Sequence, residues 1–168
     1  ENRSTTRDMV TRCAEEIFIP LTVGGGIRSL EDVSLLLEAG ADKVSIGSAG
    51  ISRPELLAEI SGEHGNQILV VSLDIKRGDT ASGFIVTSHG GRQETGLDAM
   101  QWIEKVQELG AGELLINSID ADGTRAGFDL ELIEKVRKIS AVPIIASGGA
   151  GKVSDFVEAA QAGADALL

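Results

Sequence analysis

The stretch PLTVGGGIRSLEDVSLLLEAGAD, residues 20–42, decides the fold because it occurs twice. It aligns without gaps to PIIASGGAGKVSDFVEAAQAGAD, residues 143–165, an offset of 123 residues. In each copy a Pro opens a short apolar run, a Gly pair closes it, and Ala-Gly-Ala-Asp follows an amphipathic stretch. The apolar run reads as a strand and the amphipathic stretch as a helix. A repeat this long is not one solenoid unit; two copies of a four-unit half give eight βα units.

Outward from the repeat the same alternation continues. Leu21-Thr22-Val23, Lys43-Val44-Ser45-Ile46, Ile68 to Leu73, Glu113 to Asn117 and Ile144-Ile145-Ala146 read as strands. Ser29 with Asp32 forms a capping box opening a helix with Leu30, Val33 and Leu37 on one face. Trp102, Val106 and Leu109 mark a second inward stripe, and Val153, Phe156, Val157 and Ala160 a third. Gly40, Gly110 and Gly163 suit the left-handed position that ends a helix. Alternation of this kind implies a parallel sheet with right-handed crossovers, either a barrel or an open doubly wound sheet. The repeat favours the barrel. The expected fold is therefore α/β: residues 1–168 as one partial (β/α)8-barrel domain, a TIM barrel with a two-fold half-barrel repeat and about five βα units. Strands are expected to be missing at both termini, in keeping with the absent initiator Met.

Composition narrows the function classes. A net charge of −11 and 3% aromatic residues offer neither a basic face for a phosphate backbone nor a stacking platform, so nucleic acid is not an expected partner. Cys13 has no second cysteine to pair with, which fits a reducing cytoplasm. No apolar run is long enough to cross a bilayer, and Glu1-Asn2-Arg3 does not begin a signal peptide.

Chemistry is expected at the strand ends. Gly24-Gly25-Gly26 and Ser147-Gly148-Gly149 each lie between a strand and a helix, where bare backbone and free amides suit a phosphate. Gly47 and Ser48, after the next strand, complete the first of these sites. Tight turns alone also account for one such glycine cluster. Asp74 follows an apolar strand and so delivers a carboxylate to the C-terminal mouth, where barrel enzymes keep their catalytic groups. A helix cap or a salt bridge to Lys76 or Arg77 is the competing reading. Asp122 and Gly123 lie in a polar loop that either contacts substrate or shapes the turn; its spacing does not match a calcium loop, and no metal is expected. Phe84 to Thr87 and the loop Ser88 to Arg92 read as a hairpin, with His89 and Arg92 as possible phosphate contacts. His64 reads as structural. Lys43 and Glu113 begin their strands and so sit at the opposite mouth, as a surface ion pair or a gate.

The runs TVGGGIRSLEDVSLLLEAGADKVSIGSA, VVSLDIKR, HGGRQETGLDA, LGAGELLINSIDADGTRAGFDLELI and VPIIASGGAG resemble successive blocks of the cyclase subunit of imidazole glycerol phosphate synthase. The resemblance covers essentially the whole chain. It implies a lyase of histidine biosynthesis in the cytoplasm that takes ammonia from a partner glutaminase in a heterodimer. With that ammonia it closes an imidazole ring on a bis-phosphate ribulosyl substrate and releases an aminoimidazole carboxamide ribotide, with no cofactor. Asp74 matches one of two acid/base aspartates; the other belongs to a first strand that this sequence does not contain. Gly25, Gly26 and Ser48 match one phosphate site, Ser147, Gly148 and Gly149 the other, and Asp122 with Gly123 the substrate loop. Lys43 and Glu113 match half of a charged ring through which ammonia enters. Gly47 departs from the family's usual Asn and removes one side-chain contact. With one acid, half of one phosphate site and half of the gate lacking, the 168 residues alone are expected to be inactive. The sister aldose–ketose isomerase of the same pathway shares the half-barrel repeat and the GGGIRS block but needs neither ammonia nor the Lys43 and Glu113 pair. A non-catalytic phosphate-binding module, paired through its open sheet edges with another chain, is the alternative from outside enzymology.

Overall fold

The computed structural model describes residues 3–168; Glu1 and Asn2, which entered the signal-peptide reading, lie outside them. Helix α1 (Arg3–Glu16) precedes β1 (Thr22–Gly24), α2 (Leu30–Glu38), β2 (Lys43–Ile46), α3 (Ser48–Ser52) and α4 (Glu55–His64). Strand β3 (Leu69–Arg77) leads into a hairpin of β4 (Phe84–Ser88) and β5 (Gln93–Asp98), then α5 (Ala99–Glu108). The chain continues through β6 (Glu113–Ser118), α6 (Leu130–Ile139), β7 (Ile144–Ser147) and α7 (Val153–Gln161) to β8 (Ala166–Leu167).

Six strands pair in parallel in the order β1-β2-β3-β6-β7-β8. Spatial order follows chain order without reversal, so right-handed crossovers all turn the same way and place the helices on one face. A doubly wound sheet reverses its order part-way, and that alternative is excluded. Burial alternates accordingly. Val44, Ile46, Leu69, Val71, Leu73, Ile75, Leu114, Ile116 and Ile144 are buried in the main core, beneath Val33, Leu36, Leu57, Ile60, Ile103, Val106 and Val136 of the helices. The residues between them, among them Ser45, Ser72, Asp74, Leu115, Asn117 and Ser147, are half-buried on the other face. A parallel sheet wound on one side in this way is part of a barrel wall, with its concave face opposite the helices.

The repeat is reproduced in hydrogen bonds. Asp42 Oδ2 accepts from Leu21 N at 2.7 Å, and Asp165 Oδ2, 123 residues on, accepts from Ile144 N at 2.8 Å. Asp32 Oδ2 accepts from Arg28 N and Ser29 N at 2.9 and 3.1 Å, and Asp155 Oδ2 accepts from Gly151 N and Lys152 N, both at 2.9 Å. The expected capping box is complete at Ser29, whose Oγ accepts from Asp32 N at 3.2 Å. The second copy retains only the Asp155 half, because the Lys152 ammonium has no acceptor to offer.

Two expectations are corrected. Strand β3 runs on past Asp74 to Arg77, because β4 pairs antiparallel with residues 74–77 and extends the ladder. In α2 Leu30, Val33 and Leu37 share the face packed on the core as expected, and Asp32 and Leu36 are buried as well. The stripe on α7 does not face inward: Val153 is 83%, Phe156 39% and Val157 55% exposed, and Ala160 is also exposed. The buried residues of α7 are Asp155, which caps the helix start, and Ala159, which packs with Ile133 of α6 and Ala146 of β7; of the stripe, Phe156 meets the edge of Phe128 at 5.5 Å between ring centroids. Among the described residues no helix is long and apolar enough to cross a membrane.

Candidate functional site

Strands β1 and β2 end side by side, so the loops that follow them share one space. Gly25 and Gly26 hold φ of +93° and +74°, and a Cβ on either would meet nothing within 4 Å. Packing does not demand glycine at these two positions; a positive φ and an open approach do. They open onto a cavity of about 730 Å³ whose wall includes Gly47, Ser48, Arg28, Arg53, Ser72 and His89. No carboxylate is among its lining residues, although the chain carries a net charge of −11. Two guanidinium groups and bare backbone in an acidic protein have the chemistry to hold an anion.

Asp74 lies on the concave face, two positions beyond Ser72 along β3, hence about 6.5 Å further on. Asn117 Nδ2 donates to Asp74 Oδ1 at 3.0 Å across the β3–β6 ladder, in which the two residues are direct partners. Oδ2 accepts no hydrogen bond among the described residues and remains available. Neither competing reading of Asp74 holds: Asp98 caps α5, Lys76 pairs with Glu94 at 2.8 Å, and Arg77 pairs with Asp129 and Glu131 at 3.3 and 3.1 Å.

The second Gly-rich loop is built alike but roofed over. Gly148 and Gly149 have φ of +95° and +104°, close in kind to Gly25 and Gly26, yet both are buried. A Cβ on Gly148 would lie 2.7 Å from Ser118 O, and one on Gly149 2.1 Å from Gly127 O. The loop between β6 and α6 therefore packs onto them, tied by Gly127 N donating to Gly149 O at 2.8 Å. Close packing suffices to require these glycines. Asp122 and Gly123 sit exposed in that covering loop, and Ser147 is half-buried at the end of β7. Just below, Asp155 is held under the ordinary carboxylate range chiefly by the amides of Gly151 and Lys152, with the Lys152 charge adding to them.

At the other end of the sheet Lys43 Nζ and Glu113 form an ion pair from β2 to β6, across β3. Both side chains are about one-quarter exposed, at 28% and 22%. His64 Nε2 lies 3.1 Å from Ser34 Oγ between α4 and α2, a structural role, and Arg92 is exposed and away from the cavity. Among the described residues no group of three or more His, Cys, Asp or Glu side chains is placed to hold a metal ion.

A family model described as histidine biosynthesis protein matches residues 1–168. The chain belongs to that family. It is 64% identical over 169 residues to the imidazole glycerol phosphate synthase subunit HisF of Leifsonia xyli, covering 100% of this chain and 66% of that protein. The HisF subunits of Thermobifida fusca and Clavibacter michiganensis are 61% and 60% identical, over 99% and 100% of this chain and 67% and 64% of their own length. The chain thus spans about two thirds of the curated relatives it matches.

Sequence reasoning missed Arg53, Ser72 and Asn117. Arg28 lay inside the repeat and was given no role. Alternation along β3 carried the signal for Ser72, two positions from Asp74 and so on its face; for Asn117, on β6, only the pairing register shows that it faces Asp74. Nothing in the local sequence marks Arg53.

Proposed function

We propose that the protein to which this chain belongs is the ammonia-dependent cyclase of histidine biosynthesis, a cytoplasmic lyase acting beside a glutaminase subunit. Residues 1–168 contribute five βα units to a (β/α)8 barrel as one partial domain. The observation that carries the reading is Ser72: it lines the anion cavity, and Asp74 follows it on the same face of one strand. A phosphate held over Gly25 and Gly26, with Ser48, Arg28 and the amide of Gly47 around it, brings the body of the substrate onto the concave face beside Asp74. The second phosphate of a bis-phosphate substrate meets Ser147 and the edge of the Asp122–Gly123 loop, and reaches the amides of Gly148 and Gly149 once that loop shifts.

Ring closure requires protons to be moved as ammonia adds and as the carboxamide ribotide leaves. Asp74 is the group for this work: Asn117 fixes one carboxylate oxygen and leaves the other for the substrate, the arrangement a general acid–base needs. No step calls for a cofactor. Lys43 and Glu113 stand at the other mouth of the sheet, where ammonia from a docked glutaminase would enter; the sister isomerase has no use for a charged pair there.

Ring closure, followed by absorbance with the ribulosyl bis-phosphate substrate and an ammonium salt, tests this on the gene's full-length product beside an Asp74→Asn variant. The parent turns over, and the variant loses at least about a hundredfold. A parent inert with ammonia that interconverts the aldose and ketose forms would instead be the isomerase.

A further inference from the structure

The cavity over Gly25 and Gly26 has a wall that comes from a distant part of the chain, the turn of the β4–β5 hairpin. His89 sits in that wall, and its backbone N donates to Ser48 Oγ at 3.1 Å, joining the hairpin to the loop after β2. His89 holds φ of +55°, a left-handed conformation that costs a residue with a Cβ about 1 kcal/mol, although glycines stand at the next two positions. The turn is anchored from behind, since a Cβ on Gly91 would lie 2.9 Å from Ile119 Cγ2. Ser88 Oγ, on a buried residue, lies 3.0 Å from His89 Nδ1 and fixes that edge of the ring. Nε2 makes no hydrogen bond among the described residues. The charged side chains lining the same cavity are Arg28 and Arg53, the latter also paired with Glu59, and no carboxylate is there to compete for the ring.

We propose that His89 is a binding residue of this cavity, its imidazole donating from Nε2 to an oxygen of a phosphate group held over Gly25 and Gly26. This rests on the reading of the cavity as a phosphate site. The hairpin turn then serves as the third wall of the site, and Ser88 sets the ring for it. The charged oxygens of a phosphate are acceptors, so they favour the ring form with a proton on Nε2, which the Ser88 hydroxyl supports by donating to Nδ1.

Titration of the purified protein with inorganic phosphate, followed by nuclear magnetic resonance, tests the assignment. The amides of Gly25, Gly26 and Ser48 report occupancy; the ring carbons of His89 report its part, and those of His64, held against Ser34, serve as the control. The expected result is that the three amides and the His89 ring move together with one dissociation constant while His64 stays fixed. A His89→Gly variant, which suits the left-handed backbone and should fold, is expected to bind phosphate about tenfold more weakly. If the amides move with the same constant in parent and variant while the His89 ring does not respond, the role of His89 is refuted and the phosphate site stands. If no amide moves, the phosphate reading and the role of His89 fall together.

Discussion

Asn117 and Asp74 face each other across the β3–β6 ladder, and the amide of one holds a carboxylate oxygen of the other at 3.0 Å. A hydrogen bond to a charged group is worth roughly 1.5–3 kcal/mol, or about 10- to 150-fold in a rate that depends on it. Replacing Asn117 by Leu in the full-length protein is therefore expected to lower kcat by that factor with KM nearly unchanged, because the amide positions the carboxylate rather than binding substrate. Steady-state kinetics of ring closure check it; a change confined to KM would place Asn117 in binding instead.

The two Gly-rich loops differ in what surrounds them, and stability should register the difference. Gly25→Ala meets open space and carries only the left-handed backbone cost, about 1–2 kcal/mol. Gly149→Ala carries the same cost and also drives a methyl group into Gly127 O, adding roughly a further 1–3 kcal/mol. Urea unfolding of the two variants should show Gly149→Ala clearly the less stable. Equal losses would mean that the β6–α6 loop does not pack on Gly149 in solution.

Lys43 and Glu113 are each about one-quarter exposed, so water screens much of their attraction. A double-mutant cycle with Lys43→Met and Glu113→Gln is expected to give a coupling of about 0.5–1 kcal/mol in unfolding experiments. A pair that stabilises so little needs another use. In a complex with the proposed glutaminase subunit, either substitution should lower glutamine-driven turnover more than turnover driven by added ammonium salt; equal losses on both would count against an entrance for ammonia.

Asp155 gives α7 an acid-sensitive start. Its carboxyl lies below the ordinary range in the folded chain because the amides of Gly151 and Lys152 donate to the charged form. A folded value below the unfolded one contributes stability that is fully present above the unfolded value, near pH 4, and is lost as pH falls through the folded value. Unfolding experiments between about pH 5 and pH 2 should therefore show a loss of stability that shrinks in Asp155→Asn. Identical acid profiles would assign the effect to other carboxylates.

Much of this molecule was legible in its residues. The repeat of residues 20–42 at 143–165 determined the βα unit, its Gly-pair turn and its Ser29–Asp32 cap, because those depend on periodicity, left-handed glycine and short-range hydrogen bonds. Asp74 was marked by being a carboxylate after an apolar strand, and Lys43 and Glu113 by beginning theirs. Contacts between segments far apart in sequence were decided by the tertiary structure alone. Strand order excluded the doubly wound sheet, register set Asn117 against Asp74, and the hairpin carried His89 to Ser48. Packing separated two Gly-rich loops that read alike, leaving Gly25 and Gly26 open and covering Gly148 and Gly149 with the β6–α6 loop. It also left Val153 and Val157 in the apolar stripe of α7 exposed, since periodicity specifies which residues share a face but not what lies against it. Local conformation follows from neighbours along the chain; which surfaces meet depends on the whole chain folding at once.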